Sequence, residues 1–168
     1  MGGISVVVLM SILSFIYLFF IAMFVGVLLY IIISYIFEGI SIMSMSKNMG
    51  YKNTFTAWIP FYNKYLLGKI AGNKIMGGIS GTLSLISIYL GTHFYIHQES
   101  EIVLFFVLVI NLIITFILDI IIAHRIYKSH TNKYGDILTV FNILSLGLLR
   151  PVFLFIVRNK SNQENIKK

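Results

Sequence analysis

The chain has 168 residues, of which 58% are hydrophobic and only 11% charged. A water-soluble domain carries about 25% charged residues, so an ordinary solvated surface is excluded. The absence of cysteine removes disulfides, thiolate metal sites and cysteine nucleophiles. The net charge of +7 is concentrated in particular connections, a pattern that reports membrane orientation rather than nucleic-acid binding.

Residues 1–37 contain no Asp, Glu, Lys, Arg or His. The apolar run from Val6 to Phe37 would make a helix of about 48 Å, longer than the ~30 Å hydrocarbon core, so it must tilt, kink or protrude. It lacks a basic leader and is too long for a secretory signal. Val6 stands where N-myristoylation needs Ser or Thr. Helix is expected to continue through Glu38 to about Ser46. Lys47-Asn48-Met49-Gly50 then reads as a stop, with a cation in the last turn and a glycine beyond it.

The stretch from Tyr51 to Lys74 mixes aromatics with lysines. Trp and Tyr favour the headgroup level and Lys snorkels from there. A short interfacial or re-entrant helix is expected over 56–71, anchored by Trp58, Tyr62, Lys64, Tyr65 and Lys69. A full crossing here would bury Lys64 and Lys69 at a few kcal/mol each.

A second span is expected over 75–96. Gly77, Gly81, Ser84 and Gly91 fall near one face, and small residues let helix backbones approach closely in lipid. An acidic turn, His97-Gln98-Glu99-Ser100-Glu101, leads to a third span over 102–123. A polar loop follows over 129–136. The last apolar segment, 137–157, is interrupted by Arg150-Pro151, and 161–168 is a polar tail.

The 38–74 connection holds five lysines, at 47, 52, 64, 69 and 74, and the 97–101 turn holds no Lys or Arg. Arg125, Lys128 and Lys133 follow the third span. The positive-inside rule therefore predicts that 38–74 and 124–136 are cytoplasmic and the N-terminus is outside. The last segment has two readings. Either it crosses, giving four spans and a basic tail outside, or it enters and returns, leaving the tail inside. Because apolar helices of about 20 residues usually cross, four crossings are expected.

One segment, Thr56-Ala57-Trp58-Ile59-Pro60-Phe61-Tyr62-Asn63-Lys64-Tyr65-Leu66-Leu67-Gly68-Lys69-Ile70-Ala71, resembles a recurrent AWIP–N–LG–IA motif of uncharacterised multi-pass membrane proteins of Firmicutes, chiefly clostridia. The closing Pro151-Val152-Phe153-Leu154-Phe155-Ile156-Val157-Arg158-Asn159-Lys160 is similar to their P–F–F–RxK ending. The order of spans agrees over most of the chain. Many of those proteins carry a denser basic cluster before the second span, where this chain has only Lys74. The resemblance implies a bacterial cell-membrane location and brings no activity or catalytic residue.

The candidate site is a polar stripe on the third span: Asn111, Thr115 and Asp119, four residues apart and so on one helix face. A carboxylate in an apolar span faces protein or water. The stripe could relay protons or cations, or it could be a packing stripe in which Asp119 pairs with a base. Arg150 is the natural partner, nearer to Asp119 if the last segment is re-entrant. His93 and His97 are four apart, with only Glu99 and Glu101 nearby to complete a metal site; interfacial polar residues are the commoner role. No GxSxG elbow, P-loop or GxGxxG occurs.

The expectation is therefore an all-α, polytopic helical membrane protein with three to four spans and an interfacial helix, folded as one domain over 1–160. It is expected to need no cofactor or metal. Its partners would be the lipid bilayer and another membrane protein or its own copies, not nucleic acid. The leading role is a non-enzymatic accessory, subunit or immunity-type factor acting by helix packing. The alternative is a small oligomeric transporter or proton-coupled permease using Asp119, and an intramembrane hydrolase ranks third.

Overall fold

The computed structural model describes residues 2–97, 102–131 and 133–159. All regular structure among them is helical: α1 (Gly2–Asn48), a 3-10 turn (Thr54–Trp58), α2 (Tyr62–Ile70), α3 (Lys74–His97), α4 (Ile102–Thr131), α5 (Gly135–Leu144) and α6 (Arg150–Val157). Three segments are long and apolar enough to cross a membrane: Val6–Asn48, Lys74–Ile96 and Ile102–Thr131. The chain is an all-helical membrane protein.

It divides into two compact units, residues 1–36 and residues 37–168, rather than the single domain expected over 1–160. The first unit is apolar on every side, and nearly all its side chains from Val6 to Ile36 are exposed. With no polar face, this helix has no preferred side to bury against protein. The tail 161–168 lies outside the described residues.

The second unit has a hydrophobic core supplied by five elements. Ile42 and Met45 come from the end of α1 and Ala57 from the 3-10 turn. Leu66, Leu67 and Ile70 come from α2; Ile122, Ala123, Ile126 and Tyr127 from α4; Leu154 and Val157 from α6. Each set recurs at helical spacing, which puts it on one face of its helix.

The helix ends follow local chemistry. After α1, Gly50 adopts φ +76° and the Tyr51 amide donates to the Ser46 carbonyl, closing the helix as the Lys47–Gly50 stop predicts. Gly72, at φ +78°, closes α2 in the same way, with the Asn73 amide donating to the Gly68 carbonyl. The Asn73 side chain then accepts the Met76 amide and opens α3.

Three sequence expectations need correction. The interfacial helix over 56–71 is a 3-10 turn followed by α2, broken at Ile59-Pro60-Phe61, because Pro60 has no amide to donate. The third span does not stop at Ala123 but runs to Thr131, since Ile126, Tyr127 and His130 continue its buried face. The last segment is not one helix. It is α5 and α6, separated by a turn in which Leu146 (φ +52°) and Gly147 (φ +84°) reverse the chain. At about 15 Å and 12 Å, neither helix spans a ~30 Å core. Arg150-Pro151 is a helix start, with Pro in the first turn where its missing amide costs nothing.

Candidate functional site

Four charges from four elements meet in the second unit. Asp119, on α4, accepts Lys64 Nζ of α2 at 2.8 Å and lies 2.8 Å from Arg150 Nη1 of α6. Arg150 Nη2 pairs with Glu38 of α1. Ser80 of α3 donates to the second Asp119 oxygen, and Lys64 also donates to Ser84 Oγ at 2.7 Å. The four charged side chains are only 13–17% exposed. Two cations and two anions therefore cancel in a place with little water to screen them.

Both Asp119 oxygens are engaged, one by Ser80 and the other by Lys64 and Arg150. Arg150 gives one nitrogen to each of two acids, a use suited to its planar fork of donors. A guanidinium stays protonated in proteins, so Arg150 is a fixed cation between the two acids. Beside the cluster is a cavity of about 10 Å³, lined by Lys64, Asp119 and Arg150 and by apolar Leu67, Ile122, Ala123, Ile126 and Leu154. That is room for about one water and no larger solute.

The rest of the polar stripe is turned to α3. Asn111 Nδ2 donates to the Leu83 carbonyl at 2.9 Å and to Ser87 Oγ at 2.8 Å. Thr115 donates to the Asn111 carbonyl in its own helix. Asn111, Thr115 and Asp119 thus face one neighbouring helix at successive levels, and that neighbour supplies Ser87, Leu83 and Ser80.

Small residues set how closely these helices approach. A Cβ placed on Gly77 would lie 2.6 Å from the Lys64 carbonyl and 2.7 Å from Gly68 Cα. One on Gly81 would lie 3.0 Å from the Phe61 carbonyl. Gly77 and Gly81 therefore let α3 touch the α2 backbone, which carries Lys64 into reach of Asp119. Ser84 serves the same face by accepting Lys64. Gly91 does not belong to this set: a Cβ there would meet nothing within 4 Å.

The expected interfacial anchors separate in the same way. Lys64 is not an anchor, since it reaches inward to Asp119 and Ser84. The Trp58 ring lies against Gly39 of α1, where a Cβ would come within 2.9 Å of it. Tyr62 and Tyr65 pack ring to ring at 5.3 Å, and Lys69 sits 3.8 Å from the Tyr51 ring centre.

Sequence reasoning paired Asp119 with Arg150 and missed Glu38, Lys64 and Ser80. A signal for Glu38 was present: it is the first charge after 37 residues without one. Of the His93–His97 pair, the His97 side chain lies outside the described residues, with Glu99 and Glu101. Among the described residues no three His, Asp or Glu side chains converge as a metal site would need.

The chain matches no family model, no curated protein and no solved structure.

The chemistry of the site follows from its balance. A group that transfers protons or ions must exchange partners, and each partner here is already engaged within an apolar shell. Removing one charge would strand another, a loss of about 3–5 kcal/mol for a buried pair. The arrangement joins α1, α2, α4 and α6 through two cations and two anions, with α3 attached through Ser80 and Ser84.

Proposed function

We propose that this chain is a small helix-packing membrane protein, an accessory subunit or immunity-type factor, in which the intramembrane charges hold the fold and carry no substrate. The observation behind this reading is the saturation of Asp119: Ser80, Lys64 and Arg150 occupy both its oxygens, beside a cavity of about 10 Å³. A transport site needs polar groups that a solute can reach near mid-membrane. The apolar, exposed Val6–Ile36 stretch of α1 supplies a surface for lipid or for a partner helix.

The same reading sets the orientation. The lysine-rich 38–74 connection and the 124–136 corner face the cytoplasm, and the N-terminal end of α1 faces outside. Arg158, at the end of α6, borders a groove with Lys47 and Lys52. Their proximity supports a cytoplasmic end for α6, so the positive-inside rule holds without exception. The likeness of the Ala57-Trp58-Ile59-Pro60 segment to clostridial membrane proteins supports a bacterial cell membrane.

The test combines two measurements. Photo-crosslinkers placed at Phe15, Ile21 and Leu28 of α1 should give one discrete protein adduct in native membranes, from a partner or a second copy. Proteoliposomes of the purified chain should show no proton or cation flux above protein-free vesicles. Flux that disappears in Asp119→Asn would overturn the proposal, and so would adducts with lipid alone.

A further inference from the structure

An open groove lies apart from the charge cluster, where the end of α1, the 3-10 turn and the end of α6 come together. Lys47, Lys52 and Arg158 line it, with Tyr51 beside them. Ile40 and Met43 line it as well, one to two helical turns before Lys47, toward the membrane-spanning body of α1. The groove is therefore apolar on the membrane side and cationic at the helix end.

Among the described residues no acid pairs with these cations. No carboxylate lines the groove. Glu38 and Asp119 are committed to the buried cluster, and Asp136 lies at the α4–α5 corner near His124 and Lys128. Arg158 is held in position nonetheless. Its guanidinium carbon stands 3.4 Å from the Phe155 ring centre, and Phe155 stacks on Phe37 at 4.7 Å. Arg158 Nη1 is buried with no hydrogen-bond partner among the described residues. Lys69, over the Tyr51 ring, adds a further cation nearby.

A guanidinium fixed on a ring, with one nitrogen lacking a hydrogen-bond partner among the described residues, stands beside two lysines and calls for an oxyanion, and the adjoining apolar wall calls for a hydrocarbon chain. We infer that this groove binds an anionic phospholipid, its phosphate at Lys47, Lys52 and Arg158 and its acyl chains along Ile40 and Met43. Free phosphate would satisfy the cations and leave the apolar wall uncovered. A basic cluster at the end of a membrane helix also lies at the level where headgroups are found. This inference stands whether or not the accessory role is correct.

The experiment uses the full chain in micelles, titrated with phosphatidylglycerol or phosphatidylcholine, with bound lipid read by native mass spectrometry. Phosphatidylglycerol should be retained in preference. Each interfacial cation is worth roughly fivefold in affinity. Lys47→Gln with Lys52→Gln, both exposed side chains, should weaken retention roughly 25-fold, and adding Arg158→Gln should bring the loss to about a hundredfold. The control Lys74→Gln with Lys133→Gln removes the same charge elsewhere on the surface and should stay within about twofold. Inorganic phosphate in excess should not displace the lipid. Unchanged Trp58 emission checks the fold, and the Lys47/Lys52 double variant carries the test if the triple variant does not fold. An equal loss in the control, no headgroup preference, or displacement by inorganic phosphate would overturn the inference.

Discussion

Arg150 is the one residue of the buried cluster that holds two acids, and replacing it is the sharpest probe of how the fold is tied together. Arg150→Gln leaves Asp119 with Lys64 and Ser80 but leaves Glu38 without its cation. The cluster then carries one uncompensated negative charge in a setting where its side chains are only 13–17% exposed. Breaking a buried pair by removing one partner costs about 3–5 kcal/mol, and so little exposure leaves water small scope to reduce that. Glu38→Gln in the same chain restores neutrality. It leaves the Lys64–Asp119 contact at 2.8 Å intact, so the double variant should lose less than about 2 kcal/mol. The coupling between the two sites should then exceed about 1 kcal/mol. Equilibrium unfolding in mixed micelles with increasing denaturing detergent, followed by far-UV circular dichroism and by the single tryptophan, measures all three variants. Strictly additive losses would refute the reasoning, because they would mean that the two side chains do not share one interaction.

Other outcomes follow from close contacts. Gly68→Ala and Gly77→Ala should each cost about 1–3 kcal/mol in the same assay, since a Cβ at either would fall within 2.8 Å of backbone. Gly91→Ala should be neutral or slightly stabilising, because a Cβ there meets nothing within 4 Å. Gly39→Ala should shift the Trp58 emission spectrum with the helix content unchanged, because the added methyl would lie 2.9 Å from the indole ring.

Much of this architecture was legible in the sequence for a simple reason. Crossing a bilayer demands long apolar runs, and Val6–Phe37, 75–96 and 102–123 have them. The end of α1 was legible because Lys47 and Gly50 act locally, through helix-end electrostatics and a positive φ. The Asp119–Arg150 pairing was legible because few charges stood in apolar surroundings. What was not legible depends on convergence. Glu38 and Arg150 are 112 residues apart, and nothing local to either indicates the other. Lys64 was misassigned because a lysine among aromatics looks alike whether it snorkels outward or reaches inward. Only the bare backbones of Gly68 and Gly77, which bring α2 against α3, decide it. The last segment misled because its apolar length suggested a crossing. The signal that outranked length was Arg150-Pro151, a helix beginning rather than a flaw inside a span.

The central claim is that the last apolar segment enters and returns, which is what brings Arg150 to Asp119 and Glu38. The natural absence of cysteine makes the direct measurement clean. Single cysteines at Lys133, before α5, and at Asn159, after α6, can be tested in intact cells with a membrane-impermeant thiol reagent. The account predicts that both react from the same, cytoplasmic side, labelling only after the membrane is opened. Labelling of Asn159→Cys from outside, with Lys133→Cys protected, would show a fourth crossing and contradict it.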